Sequence, residues 1–417
     1  MERKLILLLL ILITFSFYPS NIYSIGFRGL ILIIGFLGLL KLPKLVPDRN
    51  ISKAIYFMAL LTLIQIVSNV YHINNVNSLT DSLRVVNYFF AFCGLLFLFR
   101  SERNVYYFIK HTKIVFYFFI VSVFIYMIFP YFSYYIAGDI NFIKSIKTFA
   151  AKDFQYHSNP TSGVGAFLLL VIALTTQRGG IKAITFIMLG MLLIYLTGSF
   201  TSFLSVSLSI LVLSILRNSI TFYNYKKISK VLIGLFGLTF AASFIYFYHH
   251  DFSWYNEALT GRPFLWARPF LTFDIETIFF GNGAWTSLEG LEEYYSYFFV
   301  AENLSAVQVY EESMESLGSG GLHNVFLTLF YEKGIAVAIF QLFFFYYLLK
   351  KSFKASLNYD KVKAFSTQQF YKFNYVVLLF FFIRSFFEIG GIYGYYNAIL
   401  DYIFIIYTAI LLNLKLK

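Results

Sequence analysis

Residues 83–99 read LRVVNYFFAFCGLLFLF, residues 100–113 read RSERNVYYFIKHTK, and residues 114–131 read IVFYFFIVSVFIYMIFPY. The two outer stretches are almost free of charge. Each is close to the ~20 residues that a helix needs to cross ~30 Å of hydrocarbon. The connector carries Arg100, Arg103, Lys110 and Lys113. This is the pattern of a helical hairpin in a membrane with its basic turn on the cytoplasmic side. The rest of the chain repeats it. Hydrophobic residues make up 59% of the 417 residues, charged residues 13%, and mean hydropathy is +0.70. A soluble domain carries about 25% charge and about 45–50% apolar residues. So little charge does not cover a water-facing surface, and the same numbers exclude disorder, coiled coil and collagen. The single cysteine, Cys93, excludes a disulfide framework and a cysteine-based metal cluster.

Working outward, apolar runs occur at about 5–20, 25–40, 54–70, 83–99, 114–131, 162–177, 183–198, 201–216, 231–248, 324–348, 373–390 and 395–413. The expected fold is an all-α polytopic membrane protein of about twelve transmembrane helices with one large extracytoplasmic loop containing short helices. Met1–Tyr18 has a charged start and a short apolar run but no A-x-A-like cleavage site, so it reads as a retained first span. With the N-terminus inside and the spans alternating, 24 of the 33 Lys and Arg fall on inside segments. The exceptions are Arg28, Arg84, Lys144, Lys147, Lys152, Arg262, Arg268, Lys333 and Arg384. Both termini are then cytoplasmic, and the net charge of +12 is mostly a topological signal rather than a nucleic-acid footprint.

Three regions follow: an N-terminal bundle of about nine spans over 1–248, a loop over 249–323, and about three C-terminal spans over 324–417. The loop holds eleven acidic residues against two bases, Arg262 and Arg268. Either acids are simply tolerated on this side, or each arginine has an assigned anionic partner, a local carboxylate such as Glu257 or Asp274 or a ligand phosphate. Thr260-Gly261-Arg262 is followed by Trp266 and an apolar stretch through Leu271. Gly281-Asn282-Gly283 is a turn signal. Residues 302–317 suit a short Glu-rich helix, and Gly318-Ser319-Gly320-Gly321 is a hinge leading to His323-Asn324 and then Glu332-Lys333-Gly334. Glu332 and Lys333 read as a self-neutralising pair near the surface. Adjacent His249 and His250, beside Asp251, are a weak metal pattern.

This ordered set resembles the bacterial O-antigen ligase and polymerase superfamily, integral-membrane enzymes of glycan assembly. Asn159-Pro160 near a mid-chain span, Thr260-Gly261-Arg262 with Trp266, Gly281-Asn282-Gly283, His323-Asn324 and Glu332-Lys333-Gly334 carry the resemblance, together with the single large loop before the last spans. One position departs from it. Where many relatives have Ser-Arg after the seventh span, this chain has Ser199-Phe200. Arg28, Arg84 and Arg384 are the candidates for the missing cation.

The resemblance implies transfer of a glycan from a polyprenyl diphosphate carrier to an acceptor hydroxyl, on the outer side of the cytoplasmic (inner) membrane. In a polymerase the acceptor is another lipid-linked repeat unit of O-antigen or capsule, and in a ligase it is lipid A-core. The polymerase is the preferred expectation, and a lipid-linked oligosaccharide flippase is a more distant alternative. No cofactor is expected. The expected partners are the lipid-linked oligosaccharide, membrane lipid and, as a candidate, a chain-length regulator. The leaving diphosphate gains charge in the transition state, which preorganised cations stabilise. Arg262 is the first choice for that role, and Arg268 and Arg384 are weaker ones. His323 suits proton transfer, since imidazole ordinarily titrates near ~6.5; it also suits diphosphate binding as a cation. Asn324 is expected to hydrogen-bond sugar or phosphate, and Asn159 to shape a span entrance or contact ligand. The expected reaction is a metal-independent single displacement with inversion. Each residue has a plainer role beside this one. Arg384 and Glu388 are spaced i,i+4 for a local pair, and Arg28 is placed to snorkel to the interface.

Overall fold

The computed structural model describes residues 2–15, 17, 21–45, 48–74, 76–136, 158–176, 181–197, 199–218, 266, 275–284, 286, 324–387 and 398–413. Among these residues there are helices and turns but no strand. The N-terminal helices are α1 (Glu2–Phe15), α2 (Asn21–Leu45), α3 (Arg49–Tyr71), α4 (Val76–Leu98), α5 (Glu102–Val123) and α6 (Phe129–Ile136). They are followed by α7 (Ser158–Thr175), α8 (Ile181–Leu196), α9 (Phe200–Asn218) and the short α10 (Ile275–Phe280). The C-terminal helices are α11 (Val325–Lys333), α12 (Ile335–Leu357), α13 (Phe365–Lys372), α14 (Asn374–Phe387) and α15 (Ala398–Leu412).

Four stretches are long and apolar enough to cross a bilayer: Ile51–Tyr71, Val76–Leu98, Glu102–Phe132 and Ile335–Leu357. Five shorter apolar helices accompany them, and the chain is a helical membrane protein. Its outer helices leave large apolar side chains exposed, such as Leu7, Leu8 and Ile11 on α1 and Ile184, Met188 and Leu192 on α8. Such a belt far exceeds the apolar patches that a water-soluble surface tolerates. The innermost helices are enclosed all round. Every residue of 161–174 in α7 and of 399–412 in α15 is buried, as expected of helices that are apolar on all faces.

Two local features set helix geometry. A π turn at Phe124–Ile128 joins α5 to α6, and the Phe129 N–H donates to the Phe124 carbonyl. It sits directly ahead of Pro130, whose ring lacks an N–H and crowds the carbonyl four residues back. Further out, α2 lies along α4 at Gly38 and Gly94. A Cβ on Gly38 would overlap the Gly94 backbone, and one on Gly94 would overlap the Ile34 carbonyl. Small residues of this kind let helices in lipid approach to backbone contact.

One end of the bundle is tied by polar contacts between helix termini. Glu2 accepts from Asn104 Nδ2 (2.8 Å) and Arg100 Nη2 (3.4 Å). Glu102 accepts from the backbone N–H of Lys363 (2.8 Å), and Asn413 donates to the Leu96 carbonyl (2.8 Å). The starts of α1 and α5, the lead into α13 and the ends of α4 and α15 therefore share one end. The tenth expected run, 324–348, is not one continuous helix. Gly334, at φ +85° and ψ 171°, breaks it into α11 and α12. The ninth run, 231–248, lies outside the described residues.

Candidate functional site

At the opposite end, the short α10 and the turn after it dock onto the break at Gly334. The N–H groups of Asn282 and Gly283 donate to the carbonyls of Tyr331 (2.8 Å) and Glu332 (3.1 Å), and Asn282 Nδ2 adds a second bond to Tyr331 (3.0 Å). The last carbonyls of a helix lack partners within it, and the turn supplies them here. Gly281 and Gly283 have φ of 74° and 97°, values that favour glycine. A Cβ on Gly281 would overlap the Glu332 carbonyl, and a Cβ on Gly334 would overlap that of Phe279. The two glycine motifs, 281–283 and 332–334, thus interlock backbone to backbone.

The ends of α3 and α4 hold this knot from the side. Ser68 Oγ donates to the Phe280 carbonyl (2.8 Å), and His72 Nε2 lies 3.0 Å from the Gly281 carbonyl. Tyr71 stacks on Phe280 with ring centroids 4.3 Å apart and donates its hydroxyl to Glu276 (2.8 Å). Ser78 Oγ accepts from the Ala284 N–H (3.2 Å).

Beneath the knot lies a charged cluster. Lys333 pairs with Asp81 and donates to Asn69 Oδ1 (2.5 Å). Asn69 Nδ2 donates to Asp81 (3.0 Å), and Arg84 Nη2 reaches the other carboxylate oxygen (2.8 Å). Lys333 and Asp81 are 0% exposed, and Arg84 is 22% exposed. Ser78, Asp81, Val85 and Tyr88 form one fully buried stripe on α4. Tyr88, about 10 Å further along the helix, donates to buried Asp401 Oδ2 on α15 (3.1 Å). This corrects the expectation of a surface Glu332–Lys333 pair. Both residues are fully buried, and the helix break turns Lys333 toward α3 and α4.

A second cluster flanks α15 at the same level. Arg384 on α14 is 0% exposed and lies against Gly163 of α7. A Cβ on Gly163 would sit 3.0 Å from Arg384 Nε and 2.8 Å from Leu400 Cδ1, next in sequence to Asp401. Buried hydroxyls line α7 and α9 nearby. Ser162 donates to Ser202 (3.3 Å), and so does Ser199 (3.0 Å). Phe200, where the family resemblance expects arginine, is 66% exposed on the outside of the bundle.

Of the residues singled out from the sequence, Arg262, Arg268 and His323 lie outside the described residues, as do Glu257, Asp274, Glu388, His249, His250 and the 302–321 segment. Arg28 lies in α2, and Asn159-Pro160 lies in the first turn of α7, where proline fits because no helical N–H bond is lost. Trp266 is helical and buried. Arg84 is in the Asp81 cluster and Arg384 is at the Gly163 contact. Asn324 is the N-cap of α11, and its Oδ1 accepts from the N–H groups of Phe326 and Leu327, each at 3.1 Å. It thereby fixes the point where the chain passes from His323 into the helix.

Asp81, Asn69, Tyr88 and Asp401 were missed. Their signal was present: Asp401 is an acid inside an apolar run, and Asp81 is one at the edge of another. Ionisable groups in spans default to a functional hypothesis, whereas the positive-inside bias weighs bases alone.

Finally, α11 and α12 enclose an apolar crease of about 200 Å³ at their break, lined by Phe326, Leu327 and Phe330 on one side and by Ile335, Ala338 and Ile339 on the other. Among the described residues no group of three or more His, Cys, Asp or Glu could hold a metal ion. Comparison of the chain with models of known protein families and with curated proteins finds no match.

Proposed function

We propose that the chain is a membrane glycosyltransferase that polymerises lipid-linked repeat units of a surface polysaccharide. It takes the growing glycan from polyprenyl diphosphate and joins it to an acceptor sugar hydroxyl. The observation that carries this reading is the interlock of Gly281-Asn282-Gly283 with Glu332-Lys333-Gly334. Two motifs far apart in the ordered set form one physical unit, and a third, at Asn324, caps the same short helix. By the positive-inside bias this end of a bundle of about twelve spans faces away from the cytoplasm.

The chemistry divides among the chain's own residues. Arg262, with a planar fork suited to phosphate oxygens, holds the departing diphosphate. Arg384, seated against Gly163 beside buried serines, is the best-placed substitute for the arginine absent at Phe200. His323, just ahead of the Asn324 cap, takes the proton of the acceptor hydroxyl. The apolar crease at the α11–α12 break is suited to part of the isoprenoid chain. The reaction is metal-independent and inverts the anomeric carbon.

The test is made in the native host. Arg262→Ala and His323→Ala should each remove the ladder of long glycan chains while the protein stays in the membrane. Normal ladders from both would refute the assignment. Deletion of the gene separates the related reading, a ligase. A single repeat unit on core supports the polymerase, and bare core with accumulating lipid-linked polymer supports the ligase.

A further inference from the structure

The charged cluster does not end at Asn69. On α3 the buried face continues inward through Gln65 and Thr62, and on α12 it includes Gln341. Gln65 and Gln341 are each 0% exposed, and in both the amide nitrogen and the amide oxygen lack a hydrogen-bond partner. The other buried amides among the described residues, Asn69, Asn104, Asn324 and Asn374, are all hydrogen-bonded.

Helix register places these amides between the two ionic layers. Lys333 meets Asn69, and Phe57 stacks on Phe344 with centroids 5.6 Å apart, so α3 and α12 run antiparallel. Gln65 lies about 6 Å inward from Asn69 along α3, and Gln341 lies about one turn outward from Phe344 along α12. Phe345 stacks on Phe404 (5.5 Å), which brings Asp401, three residues earlier, to the level of Gln341. Tyr88 meets Asp401 at that same level.

An open amide in a dry interior is strongly unfavourable. Buried polar groups are almost always satisfied, by ordered water where protein offers nothing. The described charges of this region leave no excess for a bare ion to balance. Among the described ionisable groups of this region, Asp81, Glu332 and Asp401 are matched in number by Lys333, Arg84 and Arg384. A neutral molecule that both donates and accepts fits two amides that each need both.

We infer that a file of bound water fills the seam between Gln65 and Gln341 and joins the Asn69–Asp81–Lys333 cluster to the Tyr88–Asp401 pair. The seam is a hydrated path that enters the bundle beneath the glycine knot and ends at its middle. It gives the deep carboxylate and phenol a hydrogen-bonded route for proton exchange with the outer cluster. It does not depend on the glycosyltransferase reading.

The single cysteine makes the test direct. In a Cys93→Ser background, single cysteines replace Gln65, Gln341 and two fully or almost fully buried apolar residues deeper on the same helices, Ala54 and Phe344. The purified protein is exposed to Ag⁺, an ion small enough to follow water, and then denatured and titrated with a maleimide–polyethylene glycol for a gel shift. Thiolate is the reacting form, and it requires a hydrated site. Gln65→Cys and Gln341→Cys should be blocked at least about tenfold faster than Ala54→Cys and Phe344→Cys, while equal rates would overturn the inference. If the variants do not fold, hydroxyl-radical footprinting of the unaltered protein decides. Radicals formed from bound water should oxidise Tyr88 more than the equally buried Tyr407, and equal oxidation of the two would overturn the inference.

Discussion

Breaking the Lys333–Asp81 pair one partner at a time should be far more damaging than removing both. Both side chains are fully buried, so a lone charge left behind has no water to turn to. Removing one partner of a buried pair costs about 3–5 kcal/mol, whereas replacing both with neutral groups of similar shape is often close to neutral. The surroundings rank the single variants. In Lys333→Met, Asp81 keeps Arg84 at 2.8 Å and Asn69 at 3.0 Å, so the loss falls near the low end, about 3 kcal/mol. In Asp81→Asn, Lys333 keeps only Asn69 among its described contacts, and the loss moves toward about 5 kcal/mol. The double variant Asp81→Asn/Lys333→Met should be less destabilised than either single variant, because no lone charge is left at the pair. Reversible unfolding in mixed micelles, titrated with a denaturing detergent, measures all four proteins. Additivity within about 0.5 kcal/mol, the behaviour of independent sites, would refute the argument. So would a Lys333→Met variant as stable as the parent.

Gly334→Ala and Gly281→Ala should each prevent accumulation of folded protein, because the added Cβ meets backbone at a positive φ. Gly29→Ala, with nothing within 4 Å of the new atom, should be neutral or gain about 0.5–1 kcal/mol, and fluorescence size-exclusion profiles separate these outcomes. Asn324→Ala should lose about 1 kcal/mol of stability with the helix cap, and Asn324→Asp should restore it. An Asn324→Asp protein that is stable but makes no long glycan would show that the amide also contacts substrate. Gly163→Ala forces a shift of Leu400 or Arg384 and should shorten glycan chains in the native host, as should Arg384→Gln, with protein still in the membrane. Unchanged ladders in both would remove Arg384 from the site.

The knot shows why some motifs were legible and their purpose was not. Gly281-Asn282-Gly283 announces a turn by composition. Its partner at Gly334 is invisible locally, because the need for a missing side chain arises from a backbone some fifty residues away. Asn324 was likewise conspicuous beside His323, yet its cap geometry emerges only once the helix starts at Val325.

The amino-acid sequence by itself determined the class of solvent, the helical runs and the alternation of basic ends, since these depend on hydropathy and charge summed over many neighbouring residues. It also marked the glycine, asparagine and arginine positions. Only the tertiary structure decided that Lys333 pairs with Asp81 rather than Glu332, that Phe200 faces outward while Arg384 packs on Gly163, and that two glutamines are sealed in the bundle with open amides. The physical reason is common to all three. An ionisable or polar group in a low-dielectric interior is governed by what lies within about one hydrogen bond of it, and those neighbours come from helices distant in the chain.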